Sequence, residues 1–211
     1  MATREERRVR FKKTSFQNLL LFKDAAELVG MEYWIEHGLL LGLHRSNDMI
    51  GGDERDVDVC VPVEDAWLID EVIAIVSEQR LVKRKTNRAK DGYIIGCALR
   101  RDSCMIDIHV ADRRGGIVYY PMHRIKETGE YGVFVYPIGV FEALGTIEWN
   151  GIVFPCPQDI EWYLEERYGS DWRLDKKAEG LWTNVRDTKN NPCLQIWDKE
   201  TLGDKLYSKK I

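Results

Sequence analysis

The stretch that decides the fold is Arg55-Asp56-Val57-Asp58-Val59-Cys60-Val61. Its valines at every second position predict a largely buried β-strand, which Pro62 ends. Residues two apart in a strand project from the same face, so Asp56 and Asp58 point together. Two adjacent carboxylates at a strand end contribute little to packing but bind a hard cation such as Mg²⁺ or Mn²⁺ well. An isolated Asp-x-Asp more often faces water, so the surroundings decide its meaning.

The whole chain has the composition of one globular domain. It has 211 residues, of which 44% are hydrophobic and 31% charged. A net charge of −4 argues against a broad nucleic-acid-binding surface. The five cysteines are odd in number and lack C-x-x-C spacing, which argues against structural zinc and favours a reducing compartment. We therefore expect a cytoplasmic protein that does not bind nucleic acid.

The N-terminus is basic, and no stretch approaches the ~18 consecutive apolar residues of a transmembrane segment. An apolar signal-peptide core is also missing. Residues 4–13 carry six Arg or Lys against two Glu, which allows a weak peripheral contact with an anionic membrane. A frayed, solvated extension is the favoured interpretation of residues 1–14.

The remaining pattern predicts an α+β domain with a mixed sheet flanked by helices. We assign residues 15–173 to this domain and expect 174–211 to pack on it, without a definite element there. Asn150-Gly151 predicts a β-hairpin turn. The predicted helices are Ser15–Gly30, about 65–80 and Ile160–Tyr168, and the predicted strands after the first are Leu81–Lys85, Tyr93–Leu99, Cys104–Val110, Gly116–Tyr120, Tyr131–Tyr136, Thr146–Trp149 and Ile152–Phe154.

A third carboxylate interrupts the apolar strand Cys104–Val110. Alternation places Asp107 and His109 on one face of that strand. If the strand lies beside 56–61, Asp107 completes a cluster of three carboxylates, whose mutual repulsion one or two divalent cations would relieve. The alternative is that both residues sit at a strand end and pair with surface Arg or Lys. We favour the metal site because the acidic residues interrupt otherwise apolar strands.

Two glycines precede the Asp-x-Asp strand. Gly38 and Gly42 would let the backbone approach phosphate oxygens closely, and Arg45 could pair with those oxygens. The segment is neither a P-loop nor a dinucleotide fingerprint, and two glycines alone more often mark a turn. A glycine turn, Asp-x-Asp on one strand and Asp on a later strand together are typical of the nucleotidyltransferase superfamily.

Two separated motifs make a closer resemblance. Tyr33-Trp34 followed by Gly38-Leu39-Leu40-Leu41-Gly42 and Arg45 is similar to the opening of the LicD/fukutin-related family. Gly151-Ile152-Val153-Phe154-Pro155-Cys156-Pro157, then Tyr163-Leu164 and Tyr168-Gly169-Ser170-Asp171-Trp172, resembles the closing signature of that family. The resemblance covers about 16–60 and 147–173. Leu39 replaces the usual Thr, and Arg55 stands where a further Asp is common.

The resemblance implies a metal-dependent transfer of a phospho-alcohol from a CDP-linked donor to a glycan hydroxyl, with release of CMP. Phosphocholine, ribitol phosphate and glycerol phosphate are the groups moved in this family. Asp56 and Asp58 would hold Mg²⁺ or Mn²⁺, and Asp107 would be a third ligand or the base. His109 would support them from behind, and Arg55 would contact the donor diphosphate or moderate negative charge. Transfer of NMP from an NTP, and a degenerate nucleotide-binding module, are the alternatives.

Overall fold

The computed structural model describes residues 3–88, 94–124, 129–175 and 193–198. The helices are α1 (Arg4–Val29), α2 (His37–Ser46), a 3-10 helix (Val63–Leu68), α3 (Ile69–Ser77), α4 (Gly139–Glu142) and α5 (Ile160–Tyr168). The strands are β1 (Trp34–Ile35), β2 (Asp56–Pro62), β3 (Val82–Arg88), β4 (Ile94–Arg101), β5 (Cys104–Arg114), β6 (Ile117–Arg124), β7 (Tyr131–Pro137), β8 (Gly145–Trp149), β9 (Ile152–Cys156) and β10 (Leu194–Trp197). The α+β prediction is therefore confirmed.

One mixed sheet of eight strands organises the molecule. Its main path runs β1-β2-β5-β6-β7-β10, and β3 and β4 branch from β5. Strands β2 and β5 are parallel, whereas the other pairs in this sheet are antiparallel. The long β5 pairs with β2 and β4 through its first part and with β6 through its last three residues. Strands β8 and β9 form a separate hairpin.

The apolar face of the sheet is the centre of the core. Val57, Val59, Ile106 and Ile108 alternate with polar residues along β2 and β5, and all four are buried. Helix α1 and the 3-10 helix contact these two strands, and α3 contacts β3. The burial of β-branched side chains, at about 25 cal/mol per Å² of apolar surface, holds the two parallel strands in register.

Helix α1 begins at Arg4, eleven residues before the predicted start at Ser15. Thr3 caps it through a reciprocal bond with Glu6, a capping box. Residues of the first half bind the rest of the domain, since Arg8 pairs with the buried Glu54 and Lys12 pairs with Asp48. The prediction of a frayed extension over 1–14 was wrong for residues 4–14, because long-range ion pairs fix the helix and the charge pattern alone did not reveal them.

The glycine segment is helix α2 and not a turn. Gly38 and Gly42 are four residues apart and therefore lie on the same helix face. A Cβ on Gly42 would lie 2.4 Å from the Asp48 carbonyl oxygen and 2.9 Å from the Ile50 nitrogen. Gly42 thus lets α2 pack closely against the chain that leads to β2, which is a structural requirement that a single sequence does not distinguish from phosphate binding.

The last elements follow the sequence closely. Asn150 and Gly151 have φ of 51° and 78°, as the predicted hairpin turn requires. Helix α5 has the predicted bounds, with the Asp159 side chain capping Trp162 N–H. Strand β10 pairs with β7 within the segment for which we predicted no element.

The predicted helix over 65–80 is a 3-10 turn followed by α3. Within the described residues, no helix has the length and apolar character needed to cross a membrane.

Candidate active site

The parallel pairing of β2 and β5 brings the carboxylates together. Asp58 lies directly opposite Asp107 in the register, and Asp56, two residues away on the same face, lies opposite Met105. The condition on which the sequence prediction of a carboxylate cluster depended, that the two strands lie side by side, is met. Because paired positions of adjacent strands share a face, the three carboxylates project from the same side of the sheet.

The side chain of Asp56 lies in an environment that disfavours its charged form. Burial raises its pKa to about 7, and the neighbouring charges of Asp58, Asp107 and Asp53 contribute to the increase. Its Oδ1 is buried without a hydrogen-bond partner among the described residues. An unpaired, buried carboxylate oxygen next to other carboxylates is a feature that a bound cation would stabilise.

Asp107 and His109 have related environments. Burial, followed by the charge of Asp58, raises the pKa of Asp107. The Nε2 atom of His109 lies 3.3 Å from Oδ1 of Asp58. Burial opposes the charged form of His109, but the Asp58 hydrogen bond and charge outweigh it and raise the pKa of the imidazole. The side chains of Asp58 and His109 are 17% and 20% exposed, so solutes can reach this pair.

Asp53 is a further acidic residue near Asp56 that the sequence prediction omitted from the site. Its carboxylate packs against Gly38, where an added Cβ would lie 2.4 Å from Oδ2, and its charge helps to raise the pKa of Asp56. The neighbouring Glu54 points away toward Arg8 of α1. The signal was present in the acidic pair Asp53-Glu54, but the sequence does not say which of the two residues lies near Asp56.

The residues predicted to bind phosphate do not gather as a group around the carboxylates. Gly38 and Arg45 occupy opposite ends of α2, and an Arg45 nitrogen lies 3.4 Å from the carbonyl oxygen of Leu174. The Arg55 guanidinium donates to the Ser103 carbonyl oxygen at 2.8 Å and lies over the ring of Phe11. Arg55 is therefore directed toward α1, away from the face that carries Asp56.

A second polar group lies buried beside the carboxylates. Tyr120 donates its hydroxyl proton to Glu36, and its oxygen lies 2.9 Å from Nε2 of His37. Arg167 on α5 donates to Nδ1 of His37 at 3.3 and 3.1 Å. The Tyr163 hydroxyl lies 3.5 Å from the other oxygen of Glu36. We call Glu36, His37, Tyr120 and Arg167 the buried chain.

Two members of the buried chain, Glu36 and His37, form with His109 a trio that has the composition of a metal site. Ligand atoms of Glu36, His37 and His109 all lie within 4.8 Å of one another, which no other trio of His, Cys, Asp or Glu in the described residues achieves. Because Arg167 donates to Nδ1 of His37, we infer that the proton of this imidazole is on Nε2, where Tyr120 accepts it. Burial and the Arg167 charge lower the pKa of His37 and keep it neutral. Neither nitrogen is then available to a metal, so the aspartates fit a cation better.

The buried chain has no sequence motif that would have predicted it. Its members come from the start of α2, from β6 and from α5, and only the fold brings them together. Burial raises the pKa of Glu36 to about 7, against the opposing effects of His109 and the Tyr120 hydroxyl. Tyr163, Tyr168 and Trp172, the aromatic residues of the closing signature, are buried. His44, the other histidine of α2, contacts the Trp172 ring.

We compared the chain with protein families, with curated proteins and with solved structures. The sequence profile of the family described as LicD/FKTN/FKRP, nucleotidyltransferase domain, matches residues 30–159. A comparison with curated proteins gave no match. The family match over residues 30–159 includes Asp56, Asp58 and Asp107, and it agrees with the nucleotidyltransferase-like fold predicted from the sequence.

Among solved structures, the similarity is distant. The antibiotic-resistance factor ANT(2'')-Ia has a TM-score of 0.45 and 17% identity over 76% of this chain and 74% of that one. A protein from Thermotoga maritima described as a candidate nucleotidyltransferase has a TM-score of 0.46 and 18% identity over 78% of this chain and 88% of that one. A second structure of ANT(2'')-Ia, with adenylyl-2''-tobramycin, has a TM-score of 0.41 and 17% identity over 78% and 84%.

Proposed function

The chain belongs to the LicD/FKTN/FKRP family of nucleotidyltransferase domains, and from this and its carboxylate site we propose that it is a metal-dependent phosphotransferase. The family supports a transferase acting on phosphate groups. The proposed reaction moves a phospho-alcohol of the phosphocholine, ribitol phosphate or glycerol phosphate type from a CDP-linked donor to a glycan hydroxyl. CMP is the second product.

One observation carries the proposal: Asp58 lies opposite Asp107 on parallel strands, with Asp56 on the same face and its Oδ1 buried without a partner among the described residues. Carboxylates placed together at this cost to folding are explained by a ligand that carries positive charge. Hard oxygen ligands favour Mg²⁺ or Mn²⁺ over softer metals.

Asp56 and Asp58 are the proposed ligands of the cation. When bound, a divalent cation neutralises charge on a diphosphate and on its leaving group. Through the cation, the two aspartates would hold the diphosphate of the donor so that the acceptor hydroxyl can attack in line with the bond to CMP. Asp53, beside Gly38, adds negative charge that strengthens the attraction for a cation at the same place.

Asp107 has two proposed roles, third metal ligand or general base. Its register position beside Asp58 suits a ligand. Its raised pKa also suits a group that takes the proton of the acceptor hydroxyl. Replacing Asp107 with Asn separates the roles, because loss of a ligand weakens Mn²⁺ binding in the absence of substrate, whereas loss of a base lowers kcat and leaves Mn²⁺ affinity near that of the wild type.

A donor screen tests the proposed function. The protein is incubated with Mg²⁺, a glycan acceptor and CDP-choline, CDP-ribitol or CDP-glycerol, and CMP release is measured with and without EDTA. Metal-dependent CMP release from one donor supports the proposal. Pyrophosphate release from an NTP would instead support NMP transfer, which the nucleotidyltransferase description of the family favours as the second candidate.

The double variant Asp56→Asn/Asp58→Asn is the control for the screen. It removes two negative charges without changing side-chain volume, so we expect no CMP release and a melting temperature at or above that of the wild type. A wild-type protein that binds neither Mg²⁺ nor Mn²⁺ would contradict the catalytic proposal and favour a degenerate nucleotide-binding module.

A further inference from the structure

The buried chain lies directly behind the proposed metal ligands. The backbone N–H of Glu36 donates to the carbonyl oxygen of Asp58 at 3.2 Å, so the two residues are adjacent across β1 and β2. The ring of His109 is 5.3 Å from that of His37 and 5.4 Å from that of Tyr120, measured between centroids. His109 therefore stands between Asp58 on one side and the buried chain on the other.

Two carboxylates are within reach of the same imidazole. Nε2 of His109 contacts Asp58 at 3.3 Å, and a ring nitrogen of His109 lies within 4.8 Å of a Glu36 carboxylate oxygen. A buried carboxylate needs hydrogen-bond donors, and leaving one without them destabilises the folded protein. In this structure the Tyr120 hydroxyl donates to Glu36 and lies 2.9 Å from Nε2 of His37, which is itself 3.6 Å from the same Glu36 oxygen. With Tyr120 and His37 serving Glu36, His109 contacts Asp58.

The buried chain is expensive to maintain. Glu36 is 1% exposed, and His37 has a φ of 51°, a left-handed conformation that is strained in a non-glycine residue. Apolar residues of similar volume would often stabilise such a position equally well or better. Arg167 anchors the far end of the chain, where its guanidinium lies 3.9 Å from the centre of the Phe134 ring.

We propose that the Tyr120 hydroxyl, by satisfying Glu36, keeps His109 on Asp58 and so positions the Asp58 carboxylate for the cation. Tyr120 and Glu36 are positioning residues that act through His109 and do not touch substrate. This inference rests on the proposed function, because it presumes that Asp58 is a metal ligand. Residues behind a ligand typically change metal affinity by 10–100-fold when they are replaced.

The test measures Mn²⁺ alone, by the electron paramagnetic resonance signal of the free ion, without donor or acceptor. Tyr120→Phe removes one hydroxyl and leaves Glu36 without that donor, so His109 turns toward Glu36 and Mn²⁺ binds about tenfold more weakly. In a His109→Gln background the same replacement is expected to have no further effect, because its intermediary is gone. An equal loss in both backgrounds would overturn the proposal.

Two further variants keep the test decisive. Tyr33→Phe is the matched control, because Tyr33 is a buried tyrosine whose hydroxyl has no hydrogen-bond partner among the described residues, and its Mn²⁺ affinity should equal that of the wild type. Glu36→Gln/Tyr120→Phe removes the competing charge and should recover most of the affinity. This double variant also avoids an unpaired buried carboxylate, so it serves if Tyr120→Phe alone does not fold.

The outcomes distinguish the two proposals. If the wild type binds no Mn²⁺, the proposed function fails and the inference fails with it. If the wild type binds Mn²⁺ and Tyr120→Phe binds it equally well, only the positioning role is overturned. The positioning role is also overturned if the Glu36→Gln/Tyr120→Phe protein still binds Mn²⁺ tenfold more weakly than the wild type.

Discussion

The two faces of β2 and β5 are built from alternate residues of the same strands, yet they have opposite environments. One face carries valine and isoleucine, which α1 and the 3-10 helix help to bury. The other carries Asp56, Asp58 and Asp107, whose carboxylates are crowded and partly desolvated. Burial of the apolar face stabilises the folded protein, whereas the desolvated and mutually repelling carboxylates of the acidic face destabilise it. Stability and the proposed chemistry should therefore respond separately to replacements on the two faces.

The largest expected effect is on the acidic face. Asp58→Asn removes a proposed metal ligand and should lower kcat/KM by about a thousandfold, which corresponds to several kcal/mol of lost charge stabilisation. The melting temperature in EDTA should not fall, because the replacement also relieves repulsion from Asp107 across the register. Initial rates of CMP release and a thermal melt measure the two quantities. Unchanged turnover would remove Asp58 from the site.

The apolar face should show the reverse result. Ile106 is fully buried, and Ile106→Ala should lower the free energy of unfolding by about 2–5 kcal/mol through lost burial and a cavity. Urea denaturation measures this change, and Ile106→Val, at about 0.5–1.5 kcal/mol, is the graded control. Under conditions where the variant is folded, Mn²⁺ affinity should match that of the wild type. A large loss of Mn²⁺ affinity would show that the two faces are coupled.

The pH dependence of stability sharpens the comparison. The pKa of Asp56 is raised from 3.8 to about 7, so the folded state binds more protons than the unfolded state between these values. The contribution of Asp56 to the free energy of unfolding is therefore fully present below about pH 4, and it is lost as the pH rises through about 7. In EDTA at pH 8, Asp56→Asn should be more stable than the wild type by about 1–3 kcal/mol, less than the full shift because the carboxyl is partly exposed.

This advantage should shrink as the pH falls toward 4, since Asp56 is then protonated and uncharged in the folded protein. Urea denaturation at pH 5 and pH 8 gives both values, and Ile106→Val should show the same difference from wild type at the two pH values. An advantage of Asp56→Asn that does not depend on pH would mean that the charge of Asp56 is not its cause.

The smallest effect is expected at Arg55, which is next to the acidic pair in sequence but turned toward α1. Arg55→Ala removes the contacts with the Ser103 carbonyl and the Phe11 ring, and should cost no more than about 1 kcal/mol of stability. KM for the proposed CDP-linked donor should remain within about twofold of the wild type, because the exposed guanidinium contacts Ser103 and Phe11 and its charge is screened by water. A large increase in KM would restore the predicted role of Arg55 at the donor diphosphate.

Local patterns were read correctly where one element suffices to explain them. Helix α5 and the β8–β9 hairpin have the expected positions because a capping Asp159, a C-terminal Gly169 and the Asn150-Gly151 turn act on neighbouring residues. The strand carrying Asp107 was also identified, because alternation along it is a local property. The family resemblance added the fold of the domain, which the match over residues 30–159 bears out.

Predictions that depended on distant partners did less well. Residues 4–14 were expected to fray, but Arg8 and Lys12 form ion pairs with residues near β2. The glycine segment was read as a turn for phosphate, but Gly42 is required by the close approach of the 48–50 backbone to α2. In both cases the decisive atoms lie far along the chain from the residue whose type was interpreted.

The sequence by itself determined the alternation that places Asp56 and Asp58 on one face and the valines on the other, because the pleat of a strand is a property of successive residues. Only the tertiary structure decided that Asp107 stands opposite Asp58, that Asp53 lies near Asp56 while the buried Glu54 pairs with Arg8, and that Arg55 is directed toward α1. It also assembled Glu36, His37, Tyr120 and Arg167 behind the carboxylates. The register of parallel strands and the packing of α2 and α5 set these distances, and neither is encoded within one segment.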